Sequence, residues 1–125
     1  MDTRIITAMT LNTQTFFRML SDETRLRVLM LLQHEGELCV CELTHALDLS
    51  QPKISRHLAQ LRESGVVQAR RVGQWMYYQI NLALPAWAEQ VMLATLAGVS
   101  QASPFNRDYQ RLKNMPNRPG ADCCA

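Results

Sequence analysis

The fold is decided by the stretch Leu49-Ser50-Gln51-Pro52-Lys53-Ile54-Ser55-Arg56-His57-Leu58. Ser50 is a strong helix N-cap, and Pro52 is tolerated in the first turn because its missing N–H would have no partner there. Ile54, Leu58 and Leu61 recur at i, i+4 and i+7, which predicts a helix with one face in the core, ending at Ser64-Gly65. The opposite face is polar and carries Gln51, Lys53, Ser55, Arg56 and Gln60.

Three more helices are predicted before this one. The first covers Leu11 to Leu20. The second is predicted to start after an N-cap at Ser21 and to end at Gly36, and the third covers Glu42 to Leu47. Because a tight turn at Leu49-Ser50 joins the third and fourth helices, the pair is predicted to be a helix-turn-helix.

A β-hairpin and one further helix are predicted after the helix-turn-helix. Val66 to Arg71 and Trp75 to Leu82 are rich in β-forming residues and are joined across Val72-Gly73-Gln74. A final helix is predicted from Leu84-Pro85 to about Ala97. The predicted fold class is therefore mainly α with a β-hairpin wing, a winged helix-turn-helix domain that occupies residues 1–98.

The final helix is unusually apolar for a small protein. Between Leu84 and Ala97 its one charged side chain is Glu89, so we expect it to be buried, with the first helix, against a second copy of the chain. Gly98 is predicted to end the helix. From residue 99 to residue 125 the composition shifts to Asn, Arg, Pro and Asp, which predicts a loosely held, flexible tail that carries Cys123-Cys124.

The length and composition of the chain limit its class. Its 125 residues correspond to one domain. No run approaches the ~18 apolar residues of a membrane span, and Met1 to Thr7 lacks the apolar core of a secretory signal. A cytoplasmic location is predicted, where the four cysteines would be reduced thiols. The sequence contains no phosphate loop, Ser-His-Asp set or metal-hydrolase motif, so we do not expect an enzyme.

Basic side chains are concentrated in one segment. Residues 51–75 contain five Lys and Arg side chains against a single Glu, a distribution typical of a surface that binds a polyanion. In a helix-turn-helix the second helix presents its N-terminal side chains to base edges in the major groove of DNA. The candidate DNA contacts there are Gln51, Lys53, Ser55 and Arg56, with Arg70, Arg71 and Gln74 near the hairpin tip. His57 adjoins the core face, and a packing or hydrogen-bonding role competes evenly with a phosphate contact.

Cys39 and Cys41 place two thiols one residue apart, ten residues before the DNA-reading helix. On a regular helix residues i and i+2 are about 200° apart, whereas in an extended segment they point to the same side. If both sulfurs bind one atom, the pair must lie in the lead-in to the third helix or at its first turn. A ligand there would reshape that turn; the alternative is a pair of small buried apolar residues.

Several motifs together resemble the ArsR/SmtB family, and more narrowly its arsenic-responsive repressors. The resemblance covers residues 11 to 97 and rests on Leu20-Ser21-Asp22-Glu23-Thr24-Arg25-Leu26, Glu37-Leu38-Cys39-Val40-Cys41-Glu42-Leu43, Ser50 to Leu58, Gly73 to Tyr78 and Leu84 to Ala88. It implies a homodimeric repressor that binds palindromic double-stranded operator DNA and needs no cofactor. It also implies that operator release follows the binding of trivalent arsenic, or antimony, to Cys39 and Cys41.

The sequence departs from the fullest pattern of that family at one position. Some arsenic repressors carry a third cysteine three residues after the second, and this chain has Thr44 there. A site with three thiolates would need another donor. Cys123 and Cys124 are candidates, from the same or the partner subunit, and the alternative is that they are bystanders.

Three other functions compete with this interpretation. A thiol-based redox sensor of the same fold would need a disulfide within Cys39-Val40-Cys41, which closes a small, strained ring. A thiol enzyme would need a Cys-x-x-Cys pair or a pocket with a nearby base. A zinc or cadmium sensor would need a His and Asp ligand set, and the three histidines have no spacing that builds one.

Overall fold

The computed structural model describes residues 11–118. The described residues do not include the candidate donors Cys123 and Cys124. They also do not include Met1 to Thr7, the segment that lacks the apolar core of a secretory signal. In chain order the described elements are α1 (Thr13–Leu20), α2 (Glu23–Glu35), β1 (Glu37–Cys39), α3 (Val40–Leu47), α4 (Gln51–Glu63), β2 (Val67–Val72), β3 (Trp75–Ile80), α5 (Ala86–Val99) and α6 (Phe105–Lys113). Within this part of the chain, no helix combines the length and the apolar content that crossing a membrane requires.

The predicted helix-turn-helix is confirmed. The chain reverses between α3 and α4 through Asp48, whose left-handed backbone (φ 57°, ψ 45°) ends α3. The Ser50 hydroxyl then caps α4 by accepting a hydrogen bond from the backbone N–H of Lys53 at 3.4 Å. Ile54, Leu58 and Leu61 are fully buried, so α4 presents its apolar face to the core and its polar face outward.

The start of α2 differs by one residue from the prediction. Asp22, not Ser21, is the N-cap, because its carboxylate accepts a hydrogen bond from the Arg25 N–H at 3.0 Å. Its backbone is extended (φ −92°, ψ 132°), as an N-cap requires. Ser21 is helical and ends α1, where its hydroxyl donates to the Arg18 carbonyl oxygen at 2.8 Å. Gly36 ends α2 as predicted, with φ 97°.

The wing is a three-stranded antiparallel sheet in the order β1-β3-β2. The predicted hairpin joins β2 to β3 across Gly73, whose φ of 61° suits glycine. The sequence did not predict β1, which pairs with the other edge of β3 and places Cys39 opposite Tyr77. The segment just before α3 is therefore a strand of the wing sheet.

The core forms around α2, in which residues 28–32 are all buried. On one side α1 and α5 meet where the Phe16 and Trp87 rings pack edge to face, with centroids 5.3 Å apart. Large apolar side chains on these two helices remain exposed. Phe17, Trp87 and Leu93 retain 47%, 39% and 51% of their accessible surface.

The end of the domain lies further along the chain than the sequence predicted. Gly98 does not end α5, which continues to Val99. The prediction of a loosely held tail from residue 99 is wrong for residues 105–113, which form α6. Phe105, Tyr109 and Leu112, at i, i+4 and i+7, give α6 an apolar stripe that packs on the core.

An ion pair fixes α6 to α2. Arg27 Nε and Nη2 donate to the two carboxylate oxygens of Asp108 at 2.8 and 2.7 Å, in a bidentate arrangement. The Asp108 side chain is only 1% exposed, and its hydrogen bonds are the main cause of a raised pKa for Arg27. Arg27 Nη2 also donates to the Leu47 carbonyl oxygen at the end of α3, so the same side chain links three helices.

Replacing Asp108 tests this connection. Asp108→Asn leaves the Arg27 charge without its counter-charge in a nearly closed site, which should lower the free energy of unfolding by about 3 kcal/mol. Asp48→Asn, at a side chain that is 79% exposed and 3.4 Å from Arg111, is the matched control; its effect should stay below about 1 kcal/mol. Urea denaturation at neutral pH measures both. Equal effects of the two variants would contradict a structural role for the buried pair.

Candidate functional site

The N-terminal half of α4 is a polar surface. Gln51, Lys53 and Arg56 are exposed there, and Ser55 is half-buried between them. The Gln51 side-chain amide lies 3.4 Å from the Ser55 hydroxyl, within hydrogen-bonding distance. The structure therefore brings together the four α4 side chains that the sequence selected, at a helix end that points away from the core.

Gln60, further along the same polar face, has a different role. Arg25 donates to the Gln60 side-chain oxygen at 2.8 Å, and also to the carbonyl oxygens of Met19 and Arg18 at 3.0 and 3.1 Å. These bonds fix α4 to α2 and to the end of α1. Sequence reasoning did not identify Arg25 as the residue that orients α4, since its partners lie in two other helices, α1 and α4.

The two arginines of the wing have unequal surroundings. Arg70 makes two hydrogen bonds of 2.7 Å to the Glu37 carboxylate and lies over the Tyr77 ring, 5.6 Å from its centroid. The hydrogen bonds to Glu37 are the main cause of the raised pKa of Arg70. Arg71, the next residue in the chain, is exposed, and Gln74 is exposed at the hairpin turn. Arg71 and Gln74 therefore form the outward polar surface of the wing tip.

His57 is a buried residue at the edge of the core. It is 9% exposed, and within residues 11–118 its Nδ1 has no hydrogen-bond partner, while the Asp22 carboxylate is 4.0 Å away. Burial, and then the charges of Arg25, Arg56 and Lys53, lower the pKa of His57 against the opposing effect of Asp22. Of the two roles that the sequence left open, this environment favours packing by a neutral imidazole.

Cys39 and Cys41 lie on either side of a strand–helix junction. Cys39 is the last residue of β1 and the N-cap of α3, with an extended backbone (φ −88°, ψ 166°), and it is fully buried. Cys41 is in the first turn of α3 and is half-buried. The Glu42 carboxylate accepts a hydrogen bond from the Cys39 backbone N–H at 2.8 Å and holds the junction. Cys39 therefore lies in the non-helical lead-in to α3 and Cys41 in its first turn, the two places that the spacing allows for two sulfurs to bind one atom.

Cys41 lines a cavity of about 600 Å³ between α3, α4 and the hairpin. Thr44 is on the same wall, but its hydroxyl donates to the Val40 carbonyl oxygen at 2.8 Å and is part of the helix backbone network. Gln51 from α4, and Gln74 and Trp75 from the wing, complete the far side. A thiol and two of the candidate DNA-contacting side chains therefore face a single cavity.

A contact that the sequence did not suggest lies beside the thiols. Arg118 Nε donates to Glu42 Oε2 at 2.6 Å, and Arg118 Nη2 donates to Glu35 Oε1 at 2.9 Å. Partial burial acts to raise the pKa of Glu35, but hydrogen bonds from Arg118 and His34 hold it below its usual value. Within residues 11–118 there is no cluster of three or more His, Cys, Asp or Glu side chains suited to a metal ion.

The tight turn between α3 and α4, the exposed polar end of α4 and the hairpin beside it define the protein as a winged helix-turn-helix. Residues 22–69 match the family described as bacterial regulatory proteins of the arsR family. A relative from Pseudomonas putida, named arsenic resistance transcriptional regulator ArsR1, is 53% identical over 105 residues, which are 82% of this chain and 79% of the relative. The chain belongs to the arsR family of transcriptional regulators.

Two further comparisons agree with this assignment. The arsenical resistance operon repressor of Escherichia coli K12 is 55% identical over 76 residues, 61% of this chain and 65% of that protein. A homodimeric winged helix-turn-helix DNA-binding domain from Mycobacterium bovis superposes with a TM-score of 0.58 and 26% identity, over 70% of this chain and 79% of that one. The fold predicted from the sequence is confirmed.

The burial of His57 makes stability depend on pH. Its pKa is lower in the folded chain than its ordinary value of 6.5, so the unfolded chain takes up a proton first as the pH falls. The free energy of unfolding should decrease as the pH drops below about 6.5, and should decrease less in His57→Gln. The lowered pKa of Asp22 acts only below its ordinary value of 3.8, outside this window.

Urea denaturation at pH 7.5 and pH 5.5 measures the difference. His34→Gln, at a side chain that is 43% exposed, controls for the loss of a histidine as such. If the free energy of unfolding of His57→Gln decreases between the two pH values as much as that of the wild type, the His57 imidazole does not cause the pH dependence.

Proposed function

We propose that this protein is a cytoplasmic, homodimeric repressor that binds palindromic operator DNA and releases it when trivalent arsenic, or antimony, binds Cys39 and Cys41. The observation that carries the proposal is the position of the thiols at the junction of the wing sheet and the helix-turn-helix. The names of the Pseudomonas putida and Escherichia coli relatives support the choice of arsenic and of repression.

DNA binding is assigned to the polar end of α4 and the wing tip. The N-terminus of α4 enters the major groove, where Gln51 and Arg56 have the side chains that bind adenine and guanine bidentately. Lys53 and Ser55 are suited to phosphate contacts. Arg71 and Gln74 reach the adjacent backbone or groove. Arg70 contributes less, because Glu37 already neutralises its charge in the chain without DNA.

A second copy of the chain is the proposed partner of the exposed apolar side chains on α1 and α5. Phe17 and Trp87 stack at 6.3 Å between ring centroids and, with Leu93 further along α5, remain exposed in the single chain. Large apolar side chains left exposed on adjacent helices favour an interface. A two-fold dimer would place its two α4 helices on successive turns of a palindromic operator.

Metalloid binding is proposed to act through the strand–helix junction. Trivalent arsenic is a soft centre that prefers sulfur donors. Because Cys39 is fully buried, a ligand that bonds to both sulfurs must open the junction, at the expense of the Glu42 hydrogen bond or of the pairing between Cys39 and Tyr77. The first change moves α3, and the second moves the wing. Either would disturb the alignment of α4 and the wing tip on DNA, and by linkage DNA weakens metalloid binding by the same factor.

Serine variants of the two cysteines test the inducer site. Cys39→Ser and Cys41→Ser should bind a palindromic operator as the wild type does but should lose release by arsenite, because a hydroxyl is not a soft donor. Fluorescence anisotropy of labelled operator, titrated with arsenite and antimonite, measures both steps. Thr44→Cys, which adds a sulfur one turn from Cys41, should lower the arsenite concentration needed for release. Normal release of the operator by arsenite from either serine variant would contradict the proposed site.

The same assay separates metalloid sensing from redox sensing. Arsenite should release the operator even in the presence of excess reductant. Hydrogen peroxide should cause no operator release that added reductant reverses. Release by peroxide, with no response to arsenite, would assign the thiols to a redox switch instead.

Arginine variants on α4 test the DNA surface. Arg56→Ala should weaken operator binding about tenfold, in line with the ~1–3 kcal/mol of a base-reading arginine. Arg62→Ala, exposed in the last turn of the same helix, is the matched control and should change the affinity little. Anisotropy titrations at several salt concentrations measure both variants. Equal losses would indicate a general effect of charge rather than contacts at the N-terminal end of α4.

A further inference from the structure

The outer surface of α6 carries positive charge. The basic side chains of this helix are Arg107, Arg111 and Lys113. Its one acidic side chain, Asp108, is 1% exposed and is paired with Arg27 in the core. Arg107 and Lys113 are exposed, and the Arg111 side chain is 39% exposed. α6 therefore adds three cations to the surface of the domain, beyond the residues that match the family.

Helical spacing places two of these cations on the same side of α6. Arg107 and Arg111 are four residues apart, so their side chains lie one turn apart on one face. Lys113 is two residues after Arg111, which places it about 200° further round the helix. Its Nζ lies 5.4 Å from the centroid of the Tyr109 ring. Arg107 and Arg111 therefore form a short basic stripe to which Lys113 does not belong.

The contacts of Arg111 show where the basic stripe lies. Arg111 Nε donates to the His45 carbonyl oxygen in the last turn of α3, at 3.4 Å, and Arg111 Nη2 is 3.4 Å from Asp48 Oδ1. Asp48 ends α3, and Gln51 begins α4 three residues later. Since a chain spans at most ~3.6 Å per residue, Asp48 and Gln51 are within about 11 Å of each other. The basic stripe is therefore close to the end of α4 that is assigned to DNA.

The direction of α6 places Arg107 near the same turn. Arg111 contacts the last turn of α3, whereas Arg118, seven residues later, contacts Glu42 in the first turn of α3. The chain from α6 to Arg118 thus runs antiparallel to α3. Arg107, one helical turn before Arg111, is displaced past the C-terminal end of α3, toward the turn that leads into α4.

This part of a helix-turn-helix lies next to the phosphate backbone of bound DNA. The second helix enters the major groove, and the first helix crosses the backbone. Here the first helix is α3, and α6 packs beside it. A guanidinium group is suited to phosphate, since its N–H donors match two phosphate oxygens. The pairing of Arg111 with Asp48, which is 79% exposed, is weak enough for a phosphate to replace it.

We propose that Arg107 and Arg111 bind DNA phosphates beside the major-groove contact of α4, which makes α6 a third DNA-binding element in addition to α4 and the wing. This inference rests on the proposed function and extends its DNA surface by two residues. Phosphate contacts position a protein on the duplex but do not read its sequence. The basic stripe should therefore strengthen binding to the operator and to unrelated DNA alike.

The dependence of operator affinity on salt tests the basic stripe. Each phosphate contact contributes about 0.9 to the slope of log affinity against log salt concentration. Arg107→Ala and Arg111→Ala should therefore each lower the magnitude of that slope by about 1.8 in a dimer, on the operator and on an unrelated duplex. Lys113→Ala, which removes a cation from the other side of the same helix, is the matched control and should change the slope little. Fluorescence anisotropy at several salt concentrations measures all three variants.

A loss of folding would not imitate this result in both variants. Arg111 contacts α3, but the Arg107 side chain is exposed, so Arg107→Ala should change the free energy of unfolding by less than about 0.5 kcal/mol. Urea denaturation checks this. Arg107→Glu, which reverses the charge at the same exposed position, should weaken DNA binding more than Arg107→Ala does.

Replacing Asp48 should have the opposite effect on DNA binding. Its left-handed backbone (φ 57°) is one that asparagine tolerates. Asp48→Asn releases Arg111 from its carboxylate partner and removes a negative charge beside the phosphates, so the operator affinity should rise. The rise should be smaller when Asp48→Asn is made in the Arg111→Ala background. Weaker operator binding by Asp48→Asn would contradict the placement of this turn beside the backbone.

Ethylation interference locates the contacts on the DNA. Some phosphates whose ethylation blocks binding of the wild type should no longer matter to Arg107→Ala/Arg111→Ala, and they should lie next to each half-site. An unchanged salt slope in both single variants, or an equal change in Lys113→Ala, would overturn the inference and leave the proposed function intact. If the wild type binds a palindromic operator no more tightly than an unrelated duplex, the proposed function fails, and the inference fails with it.

Discussion

The structure depends on the hydrogen bond between the Glu42 carboxylate and the backbone N–H of Cys39. At that point the chain changes from a strand of the wing sheet to the first helix of the DNA-binding motif. An N-terminal helix turn has unpaired N–H groups, so the carboxylate both satisfies one of them and fixes the angle at which α3 leaves the sheet. The wing and the helix-turn-helix therefore meet at this joint, on which a soft ligand that binds the two sulfurs would act directly.

That joint also explains why a two-residue spacing is useful. At this spacing a pair of cysteines within a helix could not bind one atom, because the two side chains are about 200° apart, and a pair within a strand would leave the sheet intact. Cys39 belongs to the strand and Cys41 to the helix. Under the proposed function, a bond to both sulfurs would move the strand relative to the helix, and so the wing relative to the helix-turn-helix. Because Cys39 is fully buried, the proposed binding would require that motion.

The sequence predicted those parts of the fold that local signals specify. The cap at Ser50, the apolar repeat of Ile54, Leu58 and Leu61, and the hairpin across Gly73 all arise from residues close together in the chain. The parts it did not predict depend on distant partners. The three residues of β1 are a strand because β3 lies beside them. The partners in the pairs Arg27–Asp108 and Arg118–Glu42 are 81 and 76 residues apart. The stripe of Phe105, Tyr109 and Leu112 was visible, but the polar composition around it suggested a tail.

The Arg27–Asp108 pair sets the boundary of the smallest fragment that can be expected to fold. A fragment that covers only residues 22–69, the part that matches the family, would contain Arg27 without its counter-charge and α2 without the helices that cover it. A fragment that stops at residue 98 would still lack Asp108 and the apolar stripe of α6. Transplanting the DNA-reading surface into another protein, or recording its spectra in isolation, therefore requires the chain to extend at least through Leu112. In this protein α6 is part of the scaffold of the DNA-binding domain.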